Sequence, residues 1–285
     1  MIKVTAPVRI DISAGWSDAD PFREEFGGAV LNAAIDLRVS ATLDNKELIS
    51  SLESVPSNSG LGTSGAIRTV YLVAANPFLI KDKIELIKRV HTFENAIVGQ
   101  RAGFQDQAAA IFGGVNYWEF RKDDSICQKE IPKHKTKHLY DRLVLVFTGD
   151  RHLSANVHEE VFSDKNYMKH IFTIEKMKNV SKKMAENISN EEVMKNLINE
   201  SWKLQKTLHK SMETDSMKKL QNLCSDCYLA ARATGAGGGG CFLFYTKPEK
   251  KKALIWNISQ LKKRVPKLRV LPFNFDYTGI KIEKN

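Results

Sequence analysis

No apolar run in the 285-residue chain approaches the ~20 residues that a membrane-spanning helix needs. The opening segment, Met1-Ile-Lys-Val-Thr-Ala-Pro-Val-Arg-Ile-Asp11, alternates apolar and polar residues and meets charge early. It has no unbroken apolar stretch of the secretory kind and reads as a strand. The expectation is a cytoplasmic protein without membrane contact. Cysteine is also scarce. Cys127, Cys224, Cys227 and Cys241 are too few for a disulfide scaffold in a chain this long. Cys224-Ser-Asp-Cys227 has the spacing of half a zinc site or a redox pair, but no second such pair and no nearby His pair completes it. Two ordinary thiols in a helical context are the simpler account. Internal repeats and long low-complexity linkers are missing as well. The net charge is +10, from 43 basic and 33 acidic side chains, yet no recognition helix, finger spacing or aromatic RNA-binding strand accompanies it. Much of the excess is lysine on helix faces, with Lys250, Lys251, Lys252, Lys262 and Lys263 near the C-terminal side. A solvated face explains this, and no nucleic-acid partner is expected.

Strand and helix signals mix in the first half. Residues 2–12 and 29–43 alternate as half-buried strands do. Residues 64–75 predict a helix that starts at a glycine-rich turn. Residues 83–98 carry Ile84, Ile87, Val90 and Ile97 at helical spacing, and a short helical run from Gly103 stops at Gly113-Gly114. Residues 115–120 and 143–148 read as strands. After Gly149 the chain turns Lys/Glu/Asn-rich and mostly helical over 154–232. A strand at 241–246, a helix at 249–264 and strands at 269–276 and 278–283 follow. The pattern predicts an α+β fold in two domains, residues 1–149 and 150–285.

Two glycine-rich loops stand out. Ser59-Gly-Leu-Gly-Thr-Ser-Gly-Ala66 runs straight into an apolar helical stretch. Free N–H groups and the positive dipole end at a helix start make an anion site, and glycine lets the backbone come close to it. Thr63 and Ser64 add hydroxyls for a phosphate oxygen or a magnesium ion. The lysine of a Walker loop is missing. A strand-to-helix turn capped by Ser or Thr explains this loop equally well. Thr234-Gly-Ala-Gly-Gly-Gly-Gly-Cys241 holds five glycines in six positions, 235 to 240. The ordering cost is large, which points to backbone packed against a ligand or against the other loop. A flexible hinge is the alternative. A third group, Glu94 with Gly103-Phe-Gln-Asp106-Gln107, offers the carboxylates that phosphoryl transfer uses, though spacing alone does not show that they converge.

In this order the three pieces resemble the GHMP kinase superfamily, which includes galactokinase, homoserine kinase, mevalonate kinase and phosphomevalonate kinase. Ala6-Pro-Val-Arg-Ile-Asp-Ile-Ser-Ala-Gly-Trp-Ser-Asp18 is similar to the family's first motif, Ser59–Ala66 to its second and Thr234–Cys241 to its third. The interval from Glu94 to Asp106 matches its galactokinase-like pattern. Ala14-Gly-Trp-Ser-Asp-Ala-Asp-Pro21 and Gln105–Gly114 resemble the branch of L-fucokinase and D-glycero-D-manno-heptose 7-phosphate kinase. Gly15-Trp16 stands where galactokinases have Glu-His, which argues against galactose.

The resemblance implies an N-terminal domain like ribosomal protein S5 domain 2 and a ferredoxin-like C-terminal domain, with the site between them. It implies transfer of the ATP γ-phosphate, with Mg²⁺, to a hydroxyl of a sugar or sugar phosphate. A heptose 7-phosphate, fucose or a related sugar is the expected acceptor. By the same resemblance Asp106 accepts or orients the acceptor hydroxyl and Arg9 assists it. Ser64 and Glu94 hold the metal. Gly60, Leu61, Gly62, Thr63, Ser64, Gly65 and Ala66 cradle phosphates, with Gly237, Gly238 and Gly239 shaping the cleft beside them. Asp18, Trp16, Ser17 and Gly238 meet the acceptor. For a phosphorylated acceptor, Arg23, Arg68, Arg101 and Arg121 are the basic candidates. Departures are the short segment between Leu43 and Ser59, which leaves base selectivity open, Ser13-Ala14 for Ser-Gly, and Gly65 where that branch often has Ser. A non-sugar acceptor of the mevalonate kind and an inactive ligand sensor remain alternatives. The protein is expected to be a monomer or homodimer.

Overall fold

A computed structural model describes residues 2–44, 47–150, 154–262, 265 and 267–284. Residues 263 and 264, the last two of the helix expected over 249–264, lie outside the described residues. In chain order the elements are β1 (Ile2–Asp11), α1 (Phe22–Phe26), β2 (Gly28–Asp44), β3 (Glu47–Ser51), α2 (Thr63–Ala75), α3 (Lys83–Thr92), α4 (Gln105–Phe112), β4 (Val115–Phe120), β5 (Ile126–Glu130), α5 (Lys133–Tyr140) and β6 (Leu143–Phe147). They continue with α6 (Ser154–Val161), α7 (Asp164–Glu186), α8 (Glu191–Leu208), α9 (Asp215–Leu223), β7 (Ala230–Ala233), β8 (Cys241–Tyr245), α10 (Lys251–Leu261), β9 (Arg269–Leu271) and β10 (Lys281–Lys284).

Two antiparallel sheets organise these elements. The first runs β10-β1-β2-β4-β5, with β3 paired to β2. Helices α2 and α4 pack on β1 and β2, and α7 also lies against β2 and β4. The second runs β9-β6-β8-β7. Taken with its helices, the order β6, helices, β7, β8, α10, β9 is the ferredoxin-like βαββαβ arrangement. The expected α+β architecture is therefore observed. Strand β6, on the N-terminal side of Gly149, pairs with β8 and β9, while β10 returns to pair with β1.

Why the second sheet reads as continuous apolar runs is clear from its packing. On β6, Leu143 and Leu145 enter one core, whereas Val144 and Val146 enter the other. On β8, Cys241, Leu243 and Tyr245 go one way and Phe242 and Phe244 the other. A strand's side-chain period of two serves both faces, so both must be apolar. Helices α7 and α8 span the two cores in the same manner: Val180 and Met184 belong to the first, and Ile174 and Met177 to the second. Helix α8 buries Met194, Leu197, Ile198, Ser201, Trp202, Gln205 and Leu208, a stripe at helical spacing, and Asn190 caps it by accepting from Val193 N–H. Trp202 thus packs edge-on against Phe242 inside the second core.

The Lys/Glu/Asn-rich stretch resolves into α6 to α9, but its last residues do not stay helical. Ala230-Ala-Arg-Ala233 has helical propensity and is nevertheless a buried strand, because pairing with β8 outweighs local preference. Cys224 and Cys227 are both buried thiols, and burial pushes Cys224 up to about 11. Among the described residues no helix is long and apolar enough to cross a membrane.

Candidate active site

The two sheets meet at a cavity of about 390 Å³. Its floor is the end of β1, one wall is the loop entering α2, another is the N-terminus of α4, and Gly235 and Ala236 close it from the C-terminal half. Gly60 and Gly62 both take left-handed φ, near 71° and 72°, and Gly62 caps α2. The first turn of α2 has no acidic residue of its own, and the leading N–H groups of a helix have no partner within it. Gly60, Gly62, Thr63 and Ser64 line this wall. Leu61 is instead fully buried, with its carbonyl accepting from Arg9 N–H at 2.9 Å, so it anchors the loop. Ala66 is also buried in the core, and Gly65 is buried against Asp106.

The second glycine loop packs on the first. A Cβ at Gly235 would lie 2.6 Å from Gly60 O, and one at Gly240 would lie 2.5 Å from Ser59 O. Cys241 N–H donates to Ser59 O at 2.7 Å. Backbone-to-backbone packing is what the glycines permit. Gly237, Gly238 and Gly239 lie farther out. Gly238 N–H bonds Met212 O, and it is Gly235 and Ala236 that reach the cavity.

Six charged side chains line this space: Arg9, Asp11, Asp18, Glu94, Arg101 and Asp106. Arg9, on β1, donates from Nε to Asp106 Oδ1 at 2.8 Å and from NH1 to Gly60 O at 2.6 Å. It joins the base of α4 to the glycine loop. Glu94 sits in a π turn, Phe93–Ile97, that continues α3. The extra residue of such a turn redirects side chains, and Glu94 ends up 2% exposed inside the site. Ser64 Oγ donates to its Oε1 at 3.2 Å, and Arg68 NH1 does so at 2.9 Å. Burial raises the Glu94 carboxyl to about 7, with Arg68 opposing and the charge of Asp106 adding. Its Oε2 is buried with no hydrogen-bond partner among the described residues.

Asp18 occupies the opposite wall. It too is 2% exposed, and burial lifts it to about 7, against the pull of the Gln105 N–H, which donates to its Oδ2 at 2.9 Å. Charges on Asp106 and Asp11 push the same way as burial. Gly103 has room only for hydrogen there, since a Cβ would lie 2.2 Å from Asp18 Oδ2. Trp16 lines the cavity with a buried Nε1 that has no hydrogen-bond partner among the described residues, and it packs on His158 with ring centroids 4.6 Å apart. Ser17 is turned away. Its hydroxyl donates to Ala29 O and accepts from Ala29 N–H, fixing the first motif to β2.

Several lining residues lie outside the quoted motifs: Asn58, Gln100, Arg101 and His158. Of the basic candidates, Arg101 lines the cavity and Arg68 stands behind Glu94. Arg23 and Arg121 line a separate cavity of about 330 Å³ around His91.

A loop-to-helix anion cradle beside a buried carboxylate with a bare oxygen, and an Arg-held Asp across from it, are the parts of a phosphoryl-transfer site. Residues 23–114 match the family model of the GHMP kinases N terminal domain. Over these residues the chain carries the GHMP kinase N-terminal domain, which marks a phosphotransferase with a hydroxyl acceptor. It is 24% identical to the D-glycero-alpha-D-manno-heptose 7-phosphate kinase of Campylobacter jejuni, over 98% of each chain. It is 21% identical to the L-fucokinase/L-fucose-1-P guanylyltransferase of Bacteroides fragilis, over 98% of this chain and 38% of that one. The fold is similar to that of a D-glycero-D-manno-heptose 1-phosphate kinase from Bacteroides thetaiotaomicron, with a TM-score of 0.75 at 20% identity, covering 100% of this chain and 99% of that one.

Proposed function

We propose that the protein phosphorylates a hydroxyl of a sugar or sugar phosphate, using Mg·ATP in the cytoplasm. The observation that carries this reading is the Arg9–Asp106 pair, set between the α2 cradle and the buried Asp18. The acceptor lies on the Asp18 side, where buried Asp18 and the Trp16 indole N–H offer hydrogen bonds to hydroxyls. Sugar kinases among the relatives support a sugar acceptor over a mevalonate-like one. Retention of Arg9, Ser64, Glu94 and Asp106 in one cavity favours an enzyme over an inactive sensor.

Asp106 takes the proton of the attacking hydroxyl, and Arg9 keeps its carboxylate oriented. The free N–H groups of the α2 first turn and the hydroxyls of Thr63 and Ser64 hold the phosphates. Phosphoryl transfer of this kind is mostly positioning and charge neutralisation, which is what these groups supply. The orphaned Glu94 Oε2 and the neighbouring Ser64 hydroxyl form a hard-oxygen donor set suited to magnesium. Bound there, the ion would neutralise phosphate charge.

ADP release in the presence of Mg-ATP, measured across free sugars and sugar phosphates, tests the reading. Turnover on a heptose phosphate or fucose supports it. Tight sugar binding with no ADP release for any acceptor overturns it in favour of a sensor.

A further inference from the structure

Arg68 lies one turn beyond Ser64 on α2, and its position is not used by the acceptor or the phosphate cradle. Its guanidinium forks between two acceptors: NH1 to Glu94 Oε1 at 2.9 Å and NH2 to Gln100 Oε1 at 2.9 Å. Ser64 Oγ donates to the same Glu94 oxygen. Ser64, Glu94 and Gln100 line the cavity, while Arg68 does not. Glu94 therefore meets the cavity with one oxygen neutralised from behind and the other bare.

We infer that Arg68 sets the charge of this position so that it takes a divalent ion together with a triphosphate and rejects the free ion. The inference rests on the proposed metal role of Ser64 and Glu94. A free divalent ion needs the full negative charge of a carboxylate to offset its lost hydration. Here a fixed guanidinium already cancels that charge, and a second cation beside it is repelled. Ser64, a neutral hydroxyl, does not restore the deficit. A metal–triphosphate complex is different because its net charge is negative. The guanidinium that repels the free ion attracts the complex. Arg68 is thus a positioning residue for Glu94, and metal and nucleotide enter as one unit.

Binding of Mn²⁺ alone, followed by the loss of its free electron-paramagnetic signal, reads this without catalysis. Wild type should bind free Mn²⁺ weakly, and Arg68→Met should tighten it by about tenfold or more. Mn²⁺ with the non-hydrolysable analogue AMPPNP should bind no tighter to the variant than to wild type. Adding Glu94→Gln to Arg68→Met should abolish the gain. Arg68→Gln keeps an N–H donor toward Glu94, protects the fold and should show the same gain. Arg68→Lys keeps the charge and should stay near wild type. Equal free-Mn²⁺ affinity in wild type and both neutral variants overturns the inference. So does a gain that survives Glu94→Gln, or an equal gain in Arg68→Lys. If Glu94→Gln alone leaves Mn·AMPPNP binding unchanged, the metal reading fails on its own, whatever Arg68 does.

Discussion

Arg9 grips Asp106 through two nitrogens of one guanidinium, Nε at 2.8 Å and NH2 at 2.7 Å, both on Oδ1. Asp106 lines the cavity, and no hydrogen bond among the described residues engages its Oδ2. The carboxylate is held by one oxygen and presented by the other. Asp106→Asn keeps the shape and removes the proton acceptor, so kcat should fall by about 10²- to 10⁴-fold. AMPPNP affinity should change little, because the cradle is on α2. Steady-state rates with a titration of the analogue check both halves, and a near wild-type rate would sink the assignment.

Gly65 explains itself through the same aspartate. A Cβ there would lie 2.7 Å from Asp106 Cβ and 3.2 Å from Gln107 N. This is close approach of two helix starts, not a demand for unusual φ. Gly65→Ala should therefore push α4 and Asp106 away, lowering kcat by about 10- to 100-fold. Helix propensity favours alanine by up to ~1 kcal/mol, so the melting temperature should move little. A large loss of stability with intact kcat would contradict this account.

The motifs made much of this site legible. Arg9, Ser64, Glu94 and Asp106, spread across the first half of the chain, come to one cavity as the resemblance implied. Period-two alternation also located β1 and β2 to within a residue or two. What stayed hidden has physical reasons. Glu47–Ser51 is exposed along its whole length, so β3 has no buried face to leave a pattern. The turn that aims Glu94 inward is a π insertion, which helical spacing over 83–98 does not reveal. Ser17 sits inside the first motif, yet its hydroxyl serves the backbone of Ala29. His158 reaches the cavity from α6 in a Lys/Glu-rich stretch that reads as solvated helix. Arg232 ends the stretch that reads as mostly helical, yet it is fully buried on β7.

Asp18 links the acceptor wall to pH. Its carboxyl is raised from 3.8 to about 7, chiefly by burial. Across that window the folded chain keeps a proton that the unfolded chain has released. Folded-state stability without ligand therefore falls as pH rises from about 4 to about 7, then levels off. Glu94, raised to about 7 for the same first reason, contributes in the same direction. Asp18→Asn deletes one of the two contributions. At pH 8 the variant should be more stable than wild type by on the order of 3 kcal/mol, and at pH 4 by much less. Chemical denaturation at both pH values measures this. A wild type whose stability rises steadily from pH 4 to 8, with Asp18→Asn unchanged beside it, would refute the prediction.

Arg232 ties the two halves of the molecule at the back of the cavity. From β7 its NH1 donates to Asp11 O at 2.7 Å and lies 3.5 Å from Asp11 Oδ1, and its NH2 donates to Gln205 Oε1 at 2.9 Å. Gln205 in turn donates to Gly235 O, and Asp11 N–H donates to Thr234 Oγ1. One buried cation thus connects β1, α8 and the second glycine loop. Both partners of the ion pair are fully buried. Removing the arginine alone strands a carboxylate without its counter-charge, which costs about 3–5 kcal/mol. Arg232→Met should lower the melting temperature by roughly 10 °C, taking ~2–4 °C per kcal/mol for a chain of this size. Arg232→Met with Asp11→Asn leaves no stranded charge, and about half of the loss or more should return. Calorimetric melting of the two single variants and the double variant gives the coupling directly. If the double variant is no more stable than Arg232→Met, the pair is not what holds the halves together, and the Gln205–Gly235 contact becomes the place to look.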